Sequence, residues 1–103
     1  MRSEESASSE WLGQEAWLAL DEFARACGVE RGFIVTLVDE ELVRPALAAP
    51  DWRFGGAELA RVRRIRRLQR DFDANLQSVA VMLDLLDEID RLRRALARAA
   101  QAG

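Results

Sequence analysis

Leu20-Asp21-Glu22-Phe23-Ala24-Arg25-Ala26-Cys27-Gly28-Val29-Glu30-Arg31-Gly32-Phe33-Ile34-Val35-Thr36-Leu37-Val38 is the stretch that decides the fold. Leu20, Phe23, Ala24 and Cys27 recur at helical spacing, and Gly28 follows where a left-handed C-cap stops a helix. Asp21 stands near the helix start, where a carboxylate can cap free backbone amides. Helical spacing resumes at Phe33, Ile34, Leu37 and Val38 and predicts a second helix ending about Glu41. Two short helices joined by a tight Gly-containing turn predict a helix-turn-helix.

Upstream, Trp17-Leu18-Ala19-Leu20 is a short apolar run, read as a first strand or an extended lead-in. Residues 1–14 are rich in Ser and Glu and predict a tail without fixed structure. Downstream, Val43 to Trp52 holds both prolines and reads as a loop or edge strand. Trp52-Arg53-Phe54 is expected to form a second short strand that closes a small β hairpin, or wing, completing a unit over residues 15–55. Past Gly55-Gly56, residues 56–100 read as the C-terminal helical part of the same domain.

Leu59, Val62, Ile65, Leu68 and Phe72 mark the first of its two helices. Asp71, Asp73 and Asn75 offer caps that predict a break near residues 72–76, and a single helix over 57–100 would form a rod of about 66 Å. The last helix carries two apolar rows. One is Leu76, Val79, Ala80, Leu83 and Leu86; the other is Val81, Leu85, Ile89, Leu92 and Leu96. That is more apolar surface than one small domain covers, so the chain is expected to form a homodimer through Leu76, Val79, Leu83 and Leu86. The predicted fold is mainly α, with a helix-turn-helix and wing followed by two C-terminal helices.

Composition sets the outer bounds. With 103 residues, 17 Ala, 14 Leu, 7 Val, 3 Ile, 4 Phe and 3 Trp, the chain suits one small helical core. It has no His, Lys or Tyr and one Cys, so the usual zinc ligands, an imidazole base and an intrachain disulfide are all missing. Neither an enzyme nor a cofactor is expected. Cys27 reads as a small core residue, because free Cys is among the most buried types. The longest uncharged run, Ala74 to Leu83, is ten residues, whereas a membrane span needs about 20. Glu4, Glu5 and Glu10 are the reverse of a basic signal peptide, and the cytoplasm is the expected compartment.

Charge is arranged in blocks. Residues 1–52 hold 4 Arg and 11 acids, whereas residues 53–103 hold 11 Arg and 7 acids. Within the second half, seven Arg face one acid over 53–70, six acids stand alone over 71–90, and four Arg follow over 91–98. A DNA-reading second helix needs cations, yet Glu30 to Arg44 has two Arg against four acids, which opposes phosphate binding. The block from Arg61 to Arg70 lacks aromatic residues for base stacking and reads as a solvated or domain-joining face. Asp84, Asp87 and Glu88 share one helix face by their i, i+3, i+4 spacing, and Leu85 and Ile89 flank them. The plain reading pairs Asp87 with Arg91 and Asp90 with Arg94; the functional reading is an acidic surface for a basic protein partner. Asp39, Glu40 and Glu41, at the end of the second helix, form an alternative acidic set.

Leu20 to Pro45 resembles the N-terminal half of MerR-type domains, through Phe23-Ala24, Gly28-Val29, Phe33, Leu37, Leu42 and Pro45. Arg67-Leu68-Gln69-Arg70-Asp71-Phe72-Asp73-Ala74-Asn75-Leu76, followed by Leu85-Leu86-Asp87-Glu88, narrows the likeness to the CbpM chaperone-modulator family. The resemblance covers about Ala16 to Ala97. It implies a MerR-like protein that binds the J domain of a CbpA-type DnaJ-like co-chaperone and blocks its work with DnaK. It also implies that the chain dampens the co-chaperone's DNA binding, and is nucleoid-associated only through that partner. Such a J domain is expected to present a basic helix, which Asp84, Asp87, Glu88, Leu85 and Ile89 would meet. The competing expectation is a small MerR-like DNA-binding transcriptional regulator. One departure is Glu41, where Gly would be expected ahead of the Leu-x-x-Pro turn; a positive φ there disfavours Glu.

Overall fold

The computed structural model describes residues 17–102, so the tail expected over 1–14 lies outside the described residues. Four helices follow in order: α1 (Leu20–Cys27), α2 (Arg31–Asp39), α3 (Gly56–Phe72) and α4 (Leu76–Ala102). The chain divides into two compact units, one ending at Arg66 and the other beginning at Arg67, within α3.

The starts of α1 and α3 use one device. Glu22 reaches back to accept the N–H of Ala19 (3.2 Å), and Glu58 accepts that of Gly55 (2.6 Å). In each case a carboxylate three residues in satisfies an amide that the helix leaves unpaired. Asp21, expected at this cap, instead pairs with Arg31 of α2.

Helix ends share a device too. Gly28 has φ 73°, and the Gly28 and Val29 N–H groups bond the carbonyls of Arg25 and Ala24. The same double closure recurs after α2, where the Glu41 and Leu42 N–H groups bond Val38 and Leu37 and Glu41 has φ 62°. After α3 the Ala74 N–H bonds Gln69, and Asp73 has φ 50°. Each is a Schellman-type stop, which places one residue in the left-handed region. Glycine adopts that region freely; Asp tolerates it and Glu does so poorly. The third stop sets the break between α3 and α4. Asn75 then caps α4, its Oδ1 accepting the Ser78 N–H at 2.8 Å.

The core of the first unit gathers Phe23, Ile34, Leu37, Leu42, Val43, Phe54, Leu59, Val62 and Ile65, all buried. Phe23 and Phe54 stack with centroids 4.3 Å apart and planes 8° from parallel, and Trp52 meets Phe54 edge-on. Leu18 and Phe54 exchange both backbone hydrogen bonds (2.8 and 2.9 Å), which fixes Phe54 under α1.

Regular strands do not form among the described residues. In their place stand two isolated antiparallel bridges, Leu18 with Phe54 and Leu47 with Arg53. Trp52-Arg53-Phe54 and Trp17-Leu18-Ala19 therefore contribute single pairings. Leu20, read with the upstream run, begins α1.

In the second unit, Val79 and Leu83 are fully buried. Within α4 no residue from Asp84 to Ala102 is buried. The stripe assigned to a second copy is thus divided. Val79 and Leu83 are enclosed within one chain, and Leu76 and Leu86 are half-buried. The apolar row left in water is the other one: Val81, Leu85, Ile89, Leu92 and Leu96.

Candidate partner-binding surface

α1 and α2 form the helix-turn-helix, and the outward side of α2 is the surface that would read DNA in such a scaffold. Arg31 is its single basic residue, and its Nε donates to Asp21 Oδ1 at 2.8 Å. Gly32 and Thr36 are exposed, and the Thr36 hydroxyl bonds back to the Gly32 carbonyl (3.0 Å). Asp39, Glu40 and Glu41 follow, all exposed, at the end of the helix where the dipole is already negative. Cationic donors for phosphate are therefore scarce on this helix, and the acids oppose counterion release.

α3 holds its arginines in several ways. Arg61 donates Nε to the Leu42 carbonyl (2.8 Å), tying the turn after α2 to α3. Arg66 lies over the Phe33 ring, 5.7 Å from its centroid. Arg63, Arg67 and Arg70 are exposed. An open groove beside Glu41 is lined by Leu42, Arg44, Ala57, Glu58 and Arg61. It mixes both charge signs.

The acidic set on α4 is held by a regular helix. Asp84, Asp87 and Glu88 are exposed, as are Leu85 and Ile89. Arg91 donates to both carboxylate oxygens of Glu88, and this hydrogen bonding holds the Glu88 carboxyl below its ordinary pKa. This pairing is at i, i+3. The five residues form a ridge of carboxylates edged by two aliphatic side chains. Such a ridge suits a basic, partly apolar protein surface.

Groups suited to catalysis are sparse among the described residues. No cluster of His, Cys, Asp and Glu able to hold a metal occurs among them, and no polar or charged side chain is buried. Burial pushes the Cys27 thiol up to about 11, with Arg63 pulling weakly the other way, so the thiol stays protonated near neutrality. No helix among the described residues is long and apolar enough to cross a membrane.

Architecture and surface together define a helix-turn-helix protein. The sequence profile of the MerR HTH family regulatory proteins matches residues 18–101. The chain is also 32% identical over 80 residues to the chaperone modulatory protein CbpM of Coxiella burnetii strain Dugway 5J108-111, covering 77% of this chain and 76% of that protein. The same figures hold for CbpM of strain RSA 331 / Henzerling II. The chain belongs to the MerR helix-turn-helix family and, within it, to the CbpM chaperone-modulator family.

Proposed function

We propose that the chain is a chaperone-modulator adaptor that binds the J domain of a CbpA-type DnaJ-like co-chaperone. By occupying that domain it inhibits the co-chaperone's work with DnaK and its binding to DNA, with no catalytic step of its own. The observation that carries this reading is the likeness to CbpM over 77% of the chain. The tethered Arg31 and the acids ending α2 support a protein target over a DNA target.

Asp84, Asp87 and Glu88 are assigned to the basic helix of the J domain, with Leu85 and Ile89 as apolar anchors. Asp39, Glu40 and Glu41 form the alternative contact. Within the MerR-like scaffold the turn from Leu47 to Arg53 stands where a wing belongs. The chain works as a homodimer-forming cytoplasmic protein that reaches the nucleoid only through its co-chaperone.

Two titrations test the reading: a purified J domain of the co-chaperone, and duplex DNA at low salt. Saturable J-domain binding that weakens as salt rises is expected, with no tight duplex binding. Tight, salt-sensitive duplex binding with no affinity for the J domain would establish a DNA-binding regulator instead.

A further inference from the structure

Two adjoining hollows open on the first unit. The larger, of about 340 Å³, is lined by Leu42, Val43, Arg44, Ala57, Glu58 and Arg61, with Glu41 at its edge. The smaller, of about 170 Å³, is mostly apolar, with Val38, Val43 and Pro45 beside Glu41 and Arg44. Glu41, Val43 and Arg44 wall both, so the two run together as one groove from the last turn of α2 to the first turns of α3.

Glu41 is the residue this groove singles out. Its φ of 62° is a backbone region that glycine adopts freely and glutamate poorly. Glycine there would close α2 with the same two hydrogen bonds, because the donors are the backbone N–H groups of residues 41 and 42. The closure therefore gives no reason for the side chain. That side chain is exposed, and no hydrogen bond or ion pair engages its carboxylate among the described residues.

The groove is short of usable cations. Arg61 commits its Nε to the Leu42 carbonyl, which leaves Arg44 as the cation at the rim. Glu58 accepts the Gly55 N–H and offsets the positive end of α3. Asp39 and Glu40 stand exposed at the end of α2, where the dipole is also negative. Four acids thus face two arginines, one of them tethered. Val43 and Ala57 add an apolar wall along which the stem of a long basic side chain can lie. A charged hollow beside an apolar one suits alternate side chains of an extended segment, which share one face of a strand.

We propose that this groove seats an extended segment of a protein partner, with a lysine or arginine side chain against Glu41 and Glu58 and an apolar side chain beside Val38 and Pro45. The site belongs to the first unit and stands whether or not the partner is the J domain.

Amide NMR on the isotope-labelled full chain tests this, with two capped peptides as probes: acetyl-Ala-Leu-Ala-Arg-Ala-amide and its counterpart with Glu in place of Arg. The arginine peptide should shift the Leu42, Val43 and Ala57 amides saturably at millimolar concentration, and less strongly as salt rises. Glu41→Gly removes the carboxylate and relaxes the backbone. It should melt no lower than the wild type yet bind the arginine peptide about fivefold more weakly. Glu41→Gln keeps the backbone cost and the side-chain length, and should lose affinity to the same degree. Arg44→Gln removes the opposing cation and should bind about twofold more tightly.

Absence of saturable shifts at those amides overturns the site. Wild-type affinity in Glu41→Gln overturns the role of the carboxylate. A glutamate peptide that binds more tightly than the arginine peptide, and loses its affinity in Arg44→Gln, overturns the choice of a basic segment.

Discussion

Arg31 of α2 is bound to Asp21 of α1 through a 2.8 Å Nε–Oδ1 contact, which occupies the only cation on the second helix of the helix-turn-helix. Both side chains are about two-thirds exposed, so the pair orients Arg31 more than it stabilises the fold. Asp21→Asn should cost less than about 1 kcal/mol in urea unfolding, and the difference should shrink at high salt. The freed Arg31 should not create tight duplex binding, since Asp39, Glu40 and Glu41 remain on the same helix end. A loss well above that figure, or a gain of duplex affinity, would show that the contact does more than position one side chain.

Glu41 occupies a left-handed position, φ 62°, that closes α2 as Gly28 closes α1. Glu41→Gly should raise stability by about 1 kcal/mol, because the side-chain penalty in this region exceeds glycine's extra chain entropy. Gly28→Ala should lower it by a similar amount, for conformational reasons alone, since no atom lies within 4 Å of an added Cβ. Thermal melts of the two variants should move in opposite directions. A destabilised Glu41→Gly would mean that the Glu41 side chain makes a contact worth more than its backbone costs.

The two apolar rows of α4 should respond differently to truncation. Leu83 is fully buried within one chain, and Leu83→Ala should cost about 2–5 kcal/mol. Leu96 is 71% exposed, and Leu96→Ala should leave the unfolding midpoint of dilute chain nearly unchanged. Chemical denaturation at low concentration separates them. Equal losses at both positions would contradict the division between an inner and an outer row.

Cys27 gives a pH signature. Its thiol is raised to about 11 from an ordinary value of 9.0, with burial the main cause. The folded state therefore disfavours the thiolate. This contribution to stability is fully present below the unfolded thiol's pKa and is lost as pH rises through about 11. Near pH 8 a thiol reagent should label native chain far more slowly than urea-unfolded chain. Equal labelling rates would show the thiol to be open to solvent.

Much of this was legible in the residues themselves. Gly28, with Phe23 and Ala24 before it and Phe33, Ile34 and Leu37 after it, fixes two short helices and the turn between them, because spacing and left-handed caps are local properties. Asn75 marks the start of α4 for the same reason. Which row of α4 is buried was not legible. Leu76, Val79, Leu83 and Leu86 and the row through Leu85, Ile89 and Leu92 both satisfy helical periodicity, and only tertiary placement decides between them. Trp52-Arg53-Phe54 has the residue types of a strand, and its pairing takes the form of single bridges, Phe54 with Leu18 and Arg53 with Leu47. On the surface, Asp84 and Glu88 were identifiable by spacing, while the Asp21–Arg31 bond joins residues ten apart and depends on how the helices meet.

The most direct measurement is a calorimetric titration of the co-chaperone's J domain into wild-type chain and into an Asp84→Arg/Glu88→Arg variant. Wild type should bind saturably. The double reversal should not bind, while its circular-dichroism spectrum and melting transition stay close to those of wild type, because both positions are exposed on a regular helix. Equal binding by the two proteins, together with loss of binding in an Asp39→Arg/Glu40→Arg variant, would contradict the assignment of the α4 face. No J-domain binding by wild type at any salt concentration would contradict the adaptor function itself.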